Sequence, residues 1–253
     1  MFADERQGAI AEQARVAGRV DVAELAVTFS VSLETVRRDL TALERSGILR
    51  RVHGGAIPAE RLRHEPALAV RAAAQQSQKR RIAQAALSEL AGATSILIDA
   101  GSTTAEFAEL LPTGRDLTVV TNGVPIAMAL AHRTDLTVHL LGGRVRPRTL
   151  ATVDHVALNN LAMLCVDVAF LGTNGVSLER GFTTADPAEA EVKRAMIAAA
   201  RRAVVLADAS KIGDDQFARF ATLADVETLI MDSAVDARLA AELETAGPRV
   251  VLA

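Results

Sequence analysis

The chain has a single cysteine, Cys165, among 253 residues. One thiol excludes an internal disulfide. Its place in the apolar run 161–171 gives the expectation of a small core residue rather than a nucleophile. Long hydrophobic runs are also missing. Nothing approaches the ~18 uninterrupted apolar residues of a membrane span, so no membrane partner is expected. Met1-Phe2-Ala3 passes straight into Asp4, Glu5 and Arg6 without the apolar stretch of an export leader, and a cytoplasmic chain is expected. His132, His139 and His155 lack metal-ligand spacing with one another or with Cys165, so neither a metal nor a cofactor is expected. Net charge is small, −3, so the chain as a whole is no partner for a polyanion and any nucleic-acid binding must be local.

Such a local region exists. Residues 31–64 carry seven Arg against four acids, whereas residues 65–253 carry 18 Lys+Arg against 22 Asp+Glu. A basic head on a mildly acidic body follows. With 50% hydrophobic and 23% charged residues the composition is globular, and the length allows one large domain or two smaller ones.

The first segment reads as three helices and a hairpin. Phe2, Ile10, Ala14 and Ala17 form a loose apolar face closed by Gly18. Asp21 caps a short helix with Val22, Leu25, Ala26 and Phe29 inward, and Ser30-Val31 turns. Ser32 caps the next helix, whose period is set by Thr35, Val36, Asp39, Leu40 and Leu43, with Gly47 ending it. Residues 48–52 form a strand, His53-Gly54-Gly55 a turn, and Ala56-Ile57 the returning strand. Residues 58–78, rich in Arg, Ala, Glu and Gln, read as a linker and the entry into a helix through Arg81, Ile82, Ala85, Leu87 and Leu90. The domain expectation is therefore 1–57, a 58–78 linker, and 79–253.

In the third part strands at 95–98, 117–121, 136–141, 166–171, 203–207, 228–231 and 250–252 alternate with helices at 104–111, 124–132, 155–163, 188–201 and 235–245. That alternation predicts an α/β fold, an open and mostly parallel sheet with helices on both faces. Ligands bind such sheets at the carboxyl ends of the strands.

The helix from Ser32 is the element suited to a DNA major groove. Ser32, Glu34 and Thr35 stand on its first turn, and Arg37 and Arg38 follow. Arg pairs bidentately with guanine and displaces counterions from phosphates. Arg50 and Arg51, with His53, Gly54 and Gly55 at the tip, would lie along the backbone beside the groove. Periodicity alone leaves open an ordinary surface helix with a solvated charged face. The fixed offsets decide between them. Val22-Ala23-Glu24-Leu25-Ala26-Val27-Thr28-Phe29-Ser30-Val31-Ser32, Glu34-Thr35-Val36-Arg37-Arg38-Asp39-Leu40 and Arg51-Val52-His53-Gly54-Gly55-Ala56 closely resemble the DeoR-family DNA-binding signature.

The resemblance continues through the body, where six polar stretches fall at strand ends. Asp99-Ala100-Gly101-Ser102-Thr103-Thr104 opens a helix and offers backbone N–H groups and three hydroxyls as a phosphate cradle, or simply a polar helix cap. Thr121-Asn122, Gly142-Gly143, Gly172-Thr173-Asn174, Thr183 to Asp186 with Glu189 and Lys193, and Asp208-Ala209-Ser210-Lys211 supply the others. Together they resemble the sugar-phosphate-sensing domain of DeoR regulators, a domain similar in fold to ribose-5-phosphate isomerase. The rival is therefore an isomerase-like enzyme. The isomerase carries its base in an Asp-Gly-Ala-Asp-Glu loop, whereas the matching loop here, Leu171-Gly172-Thr173-Asn174-Gly175, has no carboxylate. The resemblance thus implies a repressor without catalytic residues, which binds operator DNA as a homodimer or homotetramer and is released by a phosphorylated sugar.

Two readings stay open. Arg144, Arg146 and Arg148 alternate, so an extended segment would place them on one side, either as a phosphate site (with Arg146 the candidate) or as an exposed cationic edge. Asp154 stands where relatives carry Gly. It either reads sugar hydroxyls or caps the following helix. The stretch 144–157 resembles actinobacterial fructose-operon repressors, which implies fructose 1-phosphate as effector.

Overall fold

The computed structural model describes residues 3–46, 48–52, 54–58 and 66–253; the side chains of Asp4, Arg15 and Arg50 lie outside that description. Phe2, Gly47 and His53 lie outside it too. The chain forms two compact units, Met1–Glu65 and Pro66–Ala253.

In the N-terminal unit, α1 (Ala3–Ala17) precedes β1 (Val20–Asp21), α2 (Val22–Thr28) and α3 (Leu33–Arg45). The hairpin β2 (Leu49–Val52) and β3 (Gly55–Pro58) closes it. Asp21 Oδ1 accepts the Ala23 N–H at 2.7 Å and Ser32 Oγ accepts the Thr35 N–H at 3.1 Å, so both expected caps form. Ile10, Ala14, Leu25, Val36, Leu40 and Leu43 pack into one core, while Ala17 is exposed on the last turn of α1. The unpredicted β1 adds to β3, so the hairpin becomes a three-stranded sheet in the order β1-β3-β2. Gly55 is needed for that addition, because a Cβ there would lie 2.0 Å from the Val20 carbonyl oxygen. Arg6 and Asp39, both buried, tie α1 to α3 through an Nε–Oδ2 bond of 2.6 Å, and Gln7 Nε2 donates to Asp39 at 3.0 Å.

The C-terminal unit begins with α4 (Leu68–Ala73) and α5 (Gln76–Ala86), then β4 (Ser95–Ile98), α6 (Ser102–Glu109), β5 (Leu117–Thr121), α7 (Val124–Leu130) and β6 (Leu136–Leu140). β7 (Arg144–Val145), β8 (Thr152–Val153), α8 (His155–Leu161) and β9 (Val166–Gly172) follow. β10 (Gly175–Ser177), β11 (Gly181–Thr184), α9 (Pro187–Ala198) and β12 (Ala200–Ala207) come next. β13 (Ala218–Ala221), β14 (Thr228–Met231), α10 (Ala237–Thr245) and β15 (Arg249–Leu252) complete the chain. The main sheet is seven-stranded, in the order β15-β14-β12-β9-β4-β5-β6, and parallel throughout. Strand alternation feeds two cores, as period-2 geometry requires. Ile96, Ile98, Val168 and Phe170 pack against α5, α6 and α7; Leu97, Ala169, Leu171 and Val205 pack against α8, α9 and α10.

The structure corrects three expectations. Cys165 is exposed, because it falls in the turn between α8 and β9 rather than in the apolar strand that follows. Within the 58–78 segment α4 spans Leu68–Ala73 and α5 begins at Gln76. Arg144, Arg146 and Arg148 do not share an extended segment: the strand stops at Val145, a turn follows, and Arg146 alone points inward. The polar stretch at Thr183 to Asp186 belongs not to the main sheet but to a small antiparallel one, ordered β10-β11-β13.

Candidate functional site

On the N-terminal unit the inner face of α3 is spent on the core, which leaves Glu34, Arg37, Arg38, Thr41 and Arg45 on its outer face, lining a shallow groove with Arg51 of β2. The Arg37 and Arg38 side chains are 53% and 81% exposed, each just under 4 Å from the Glu34 carboxylate. Arg51 is fixed by its own N–H to Glu44 Oε1 at 3.0 Å and by Nη1 to Thr41 Oγ1 at 3.3 Å. Ser32 and Thr35 are occupied with the cap, their hydroxyls 2.9 Å apart. Gly54 is exposed at the tip, whereas Gly55 is buried against β1 and offers a partner only backbone. Arg50 sits in β2, its side chain outside the description, as is His53 altogether. Arg45 and Thr41 were missed, although helical spacing from Arg38 and Arg37 places them on the same face.

On the C-terminal unit the chain leaves β4 for β5 and β6 on one side, then crosses over to β9, β12, β14 and β15 on the other. The loops after β4 and β9 therefore diverge at a topological switch point, where such sheets open a crevice. Buried Asp99 stands there. Its Oδ2 accepts the Gly172 N–H at 3.1 Å and bonds to the Lys193 ammonium, which also donates to the Gly172 carbonyl at 2.9 Å and lies 5.3 Å from the Phe220 ring centroid. Burial pushes the Asp99 carboxyl up, against the pull of Lys193.

A second knot adjoins the first on α9. Glu189 bonds to the Arg146 guanidinium and accepts from Thr149 Oγ1 at 2.5 Å, and Arg146 reaches Asp186 at 3.2 Å. Burial alone would raise the Glu189 carboxyl, but Lys193, Arg146 and Thr149 together hold it below the ordinary value. Asp186 also caps α9 through the Ala188 and Glu189 N–H groups. Thr184 Oγ1 donates to Asn174 Oδ1 at 2.9 Å and joins the loop after β9 to this knot. Thr149 is a further member missed in sequence, because its partner Glu189 lies 40 residues along the chain.

Several predicted residues are committed to the frame. Asn122 accepts the Ala100 N–H at 2.7 Å and donates to the Thr152 carbonyl at 3.4 Å, so both its ends are used. Thr121 Oγ1 donates to the Ile98 carbonyl at 2.6 Å, and Thr183 accepts the Gln216 N–H at 2.9 Å. Gly142 donates to Asn160 Oδ1 at 3.3 Å, and Gly143 allows close approach of β8, since a Cβ would meet the Val153 carbonyl at 2.4 Å.

The first turn of α6 is different. Its N-cap is Gly101, which has no side chain to cap with, so the Ser and Thr residues lie inside the helix and the polar-cap reading fails. The N–H groups of Ser102, Thr103 and Thr104 have no partner in the preceding turn of a helix. Thr104 Oγ1 returns to the Gly101 carbonyl at 3.1 Å, while the Ser102 and Thr103 hydroxyls form no hydrogen bond among the described residues. The Lys211 ammonium, after β12, makes no ion pair or hydrogen bond among the described residues either.

Asp154 occupies the N-cap position of α8 but caps nothing; its carboxylate accepts Arg144 Nε at 2.7 Å. Its backbone lies at φ 75° and ψ −172°, a region open to glycine and costing other residues about 1–3 kcal/mol. Metal-binding clusters of His, Cys, Asp and Glu are absent among the described residues.

Comparison with known proteins agrees across both units. The DeoR-like helix-turn-helix domain matches residues 6–61, and the DeoR C terminal sensor domain matches residues 74–233. A Bacillus subtilis protein described as uncharacterized HTH-type transcriptional regulator FruR is 39% identical over 92% of both chains. HTH-type transcriptional regulator GlpR of Haloferax volcanii is 36% identical, covering 99% of this chain and 98% of its own. A putative aga operon transcriptional repressor of Escherichia coli O157:H7 is 30% identical over 98% and 93%. Among solved structures, ribose 5-phosphate isomerase A from Methanocaldococcus jannaschii overlaps 55% of each chain at 17% identity with a TM-score of 0.39.

Proposed function

The chain belongs to the DeoR family of DNA-binding transcription regulators, and from that premise we propose that it is a cytoplasmic repressor released from operator DNA by a phosphorylated sugar. Residues 1–57 read the operator, 58–78 connect, and 79–253 sense. On the head, Arg37 and Arg38 reach base edges from α3. Arg50, Arg51 and His53 lie along the phosphates, with Ser32, Glu34, Thr35, Gly54 and Gly55 shaping the contact. Two heads are the minimum, since one helix reads only a few base pairs, so the working species is a homodimer or homotetramer.

The observation that carries the sensing half is the uncapped first turn of α6 at the switch point. Its free N–H groups, the Ser102 and Thr103 hydroxyls and the helix dipole suit a phosphate, and Lys211, which forms no ion pair or hydrogen bond among the described residues, completes the charge balance. Asp99, Gly172, Asn174, Asp186, Glu189, Lys193 and Arg146 border the crevice, and Asp154 discriminates among hydroxyls. Fructose 1-phosphate is the proposed effector. Calorimetry and thermal melting test this: fructose 1-phosphate raises Tm and free fructose does not, and Thr103→Val weakens the response while operator affinity stays. Binding of another phosphate ester alone would remove the fructose assignment, and an equal response to free fructose would remove the phosphate cradle.

A further inference from the structure

The segment that connects the two units enters the C-terminal one through α4, and both ends of that helix are tied down. Its first residue, Leu68, donates its N–H to the Arg148 carbonyl at 2.9 Å. Arg148 lies in a turn that closes on itself through the Leu150 N–H and the Arg146 carbonyl at 2.8 Å. The same turn is gripped from α9: Arg146 by Asp186 and Glu189, and Thr149 by Glu189. One turn further along α9, Lys193 holds Asp99 in the loop after β4. At the other end of α4 the Arg71 and Ala74 carbonyls accept from the buried Lys79 ammonium of α5. Gln75, between the helices, is held at φ 53°.

We propose that the Leu68–Arg148 hydrogen bond is the output latch of the sensor, an inference that rests on the sugar-phosphate reading above. A guanidinium held by two carboxylates is also a strong phosphate ligand, because its fork fits phosphate bidentately. A phosphate ester seated on the first turn of α6 takes the Arg146 guanidinium as a further contact, which loosens the turn at 146–149, frees the Leu68 N–H and so releases the start of α4, the point at which the connecting segment is fixed. Leu68 is a positioning residue here and touches no ligand. The latch is closed in the structure, and this arrangement is assigned to the operator-competent state.

Leu68→Pro tests this with little collateral change. Leu68 is the first residue of α4, where proline is tolerated, and Ala67 before it already has φ −56° and ψ 151°, the conformation a following proline demands. Leu68→Ala keeps the N–H and controls for the side chain. The probe is whichever of fructose 1-phosphate, fructose 1,6-bisphosphate and tagatose 6-phosphate raises the Tm of the unaltered chain most. Leu68→Pro is expected to bind operator up to about tenfold more weakly without sugar and to lose most of the further response to the probe. Because the open state is then more populated, it binds the probe tighter, a gain that simple damage to the fold would not produce. Leu68→Ala behaves as the unaltered chain. In the unaltered chain, hydrogen exchange at the Leu68 amide speeds about tenfold when the probe saturates, a readout that does not depend on the variant folding. A normal response in Leu68→Pro, weakened probe binding, or unchanged exchange at Leu68 overturns the latch alone. If none of the three esters binds the unaltered chain, the sensor reading falls and the latch with it.

Discussion

Charge is used in opposite ways on α3 and at the sensor crevice. Arg37 and Arg38 keep 53% and 81% of their side chains exposed, beside the single carboxylate of Glu34. Lys193 and Arg146 keep 4% and 13%, each committed to buried carboxylates. An exposed cation contributes little to stability and stays available to a polyanion, whereas a buried pair is costly to break. The same residue types therefore answer to different measurements at the two places: affinity at Arg37 and Arg38, melting at Lys193 and Arg146.

The largest effect that can break this contrast is at Lys193. Lys193→Met leaves Asp99 buried without its cation, and a loss of about 3–5 kcal/mol is expected. In calorimetry this reads as a fall in Tm on the order of 10 °C for the C-terminal unit. A Tm within a degree of the unaltered chain would show that the buried pair is not what holds the switch point.

Next in size are the head arginines. Arg38→Ala should weaken operator binding about tenfold or more, the range for one bidentate base contact, with Tm unchanged. Arg51→Ala should weaken all DNA sequences alike and lower the salt slope by about one. Fluorescence anisotropy at several salt concentrations separates the two, and a shift in Tm with either variant would erase the distinction between the units.

The smallest effect sharpens the contrast from the body's surface. Asp167 accepts from the Thr94 and Ser95 N–H groups and from both their hydroxyls, so β4 and β9 are joined at their starts, and these donors hold its carboxyl down to about 2. A depressed carboxyl contributes stability that is full above its unfolded value of about 4 and is lost as pH falls toward 2. Asp167→Asn should therefore melt a few degrees lower at pH 7, with the gap to the unaltered chain closing as pH falls from 4 toward 2. A gap independent of pH would assign the effect to packing.

The parallel sheet was legible because each of its central strands must alternate between two cores, and Ile96-Leu97-Ile98 does so within three residues. β7, β8 and the β10-β11-β13 sheet were not, since each of those strands holds a single large apolar residue and so no apolar run. Apolar composition misplaced Cys165, because the run 161–171 spans a turn as well as a strand. The polar residues of the candidate site were found by type, but not their allegiances. Asn122 bridges Ala100 and Thr152, and Asp39 meets Arg6 33 residues away. Long-range pairings of that kind leave no local pattern. The uncapped turn at Gly101 was ambiguous for a related reason, since Ser and Thr suit both a cap and a cradle until the N-cap residue itself is known.

The central claim, that occupancy of the crevice in one unit governs DNA binding by the other, is tested most directly by one titration. Fluorescent operator DNA is saturated with the full chain at fixed salt, and fructose 1-phosphate or free fructose is added while anisotropy is followed. The account predicts release by fructose 1-phosphate, none by free fructose, and a response shifted to higher concentration in Thr103→Val. Operator that stays bound under saturating fructose 1-phosphate, with calorimetry showing the ester bound, would contradict it.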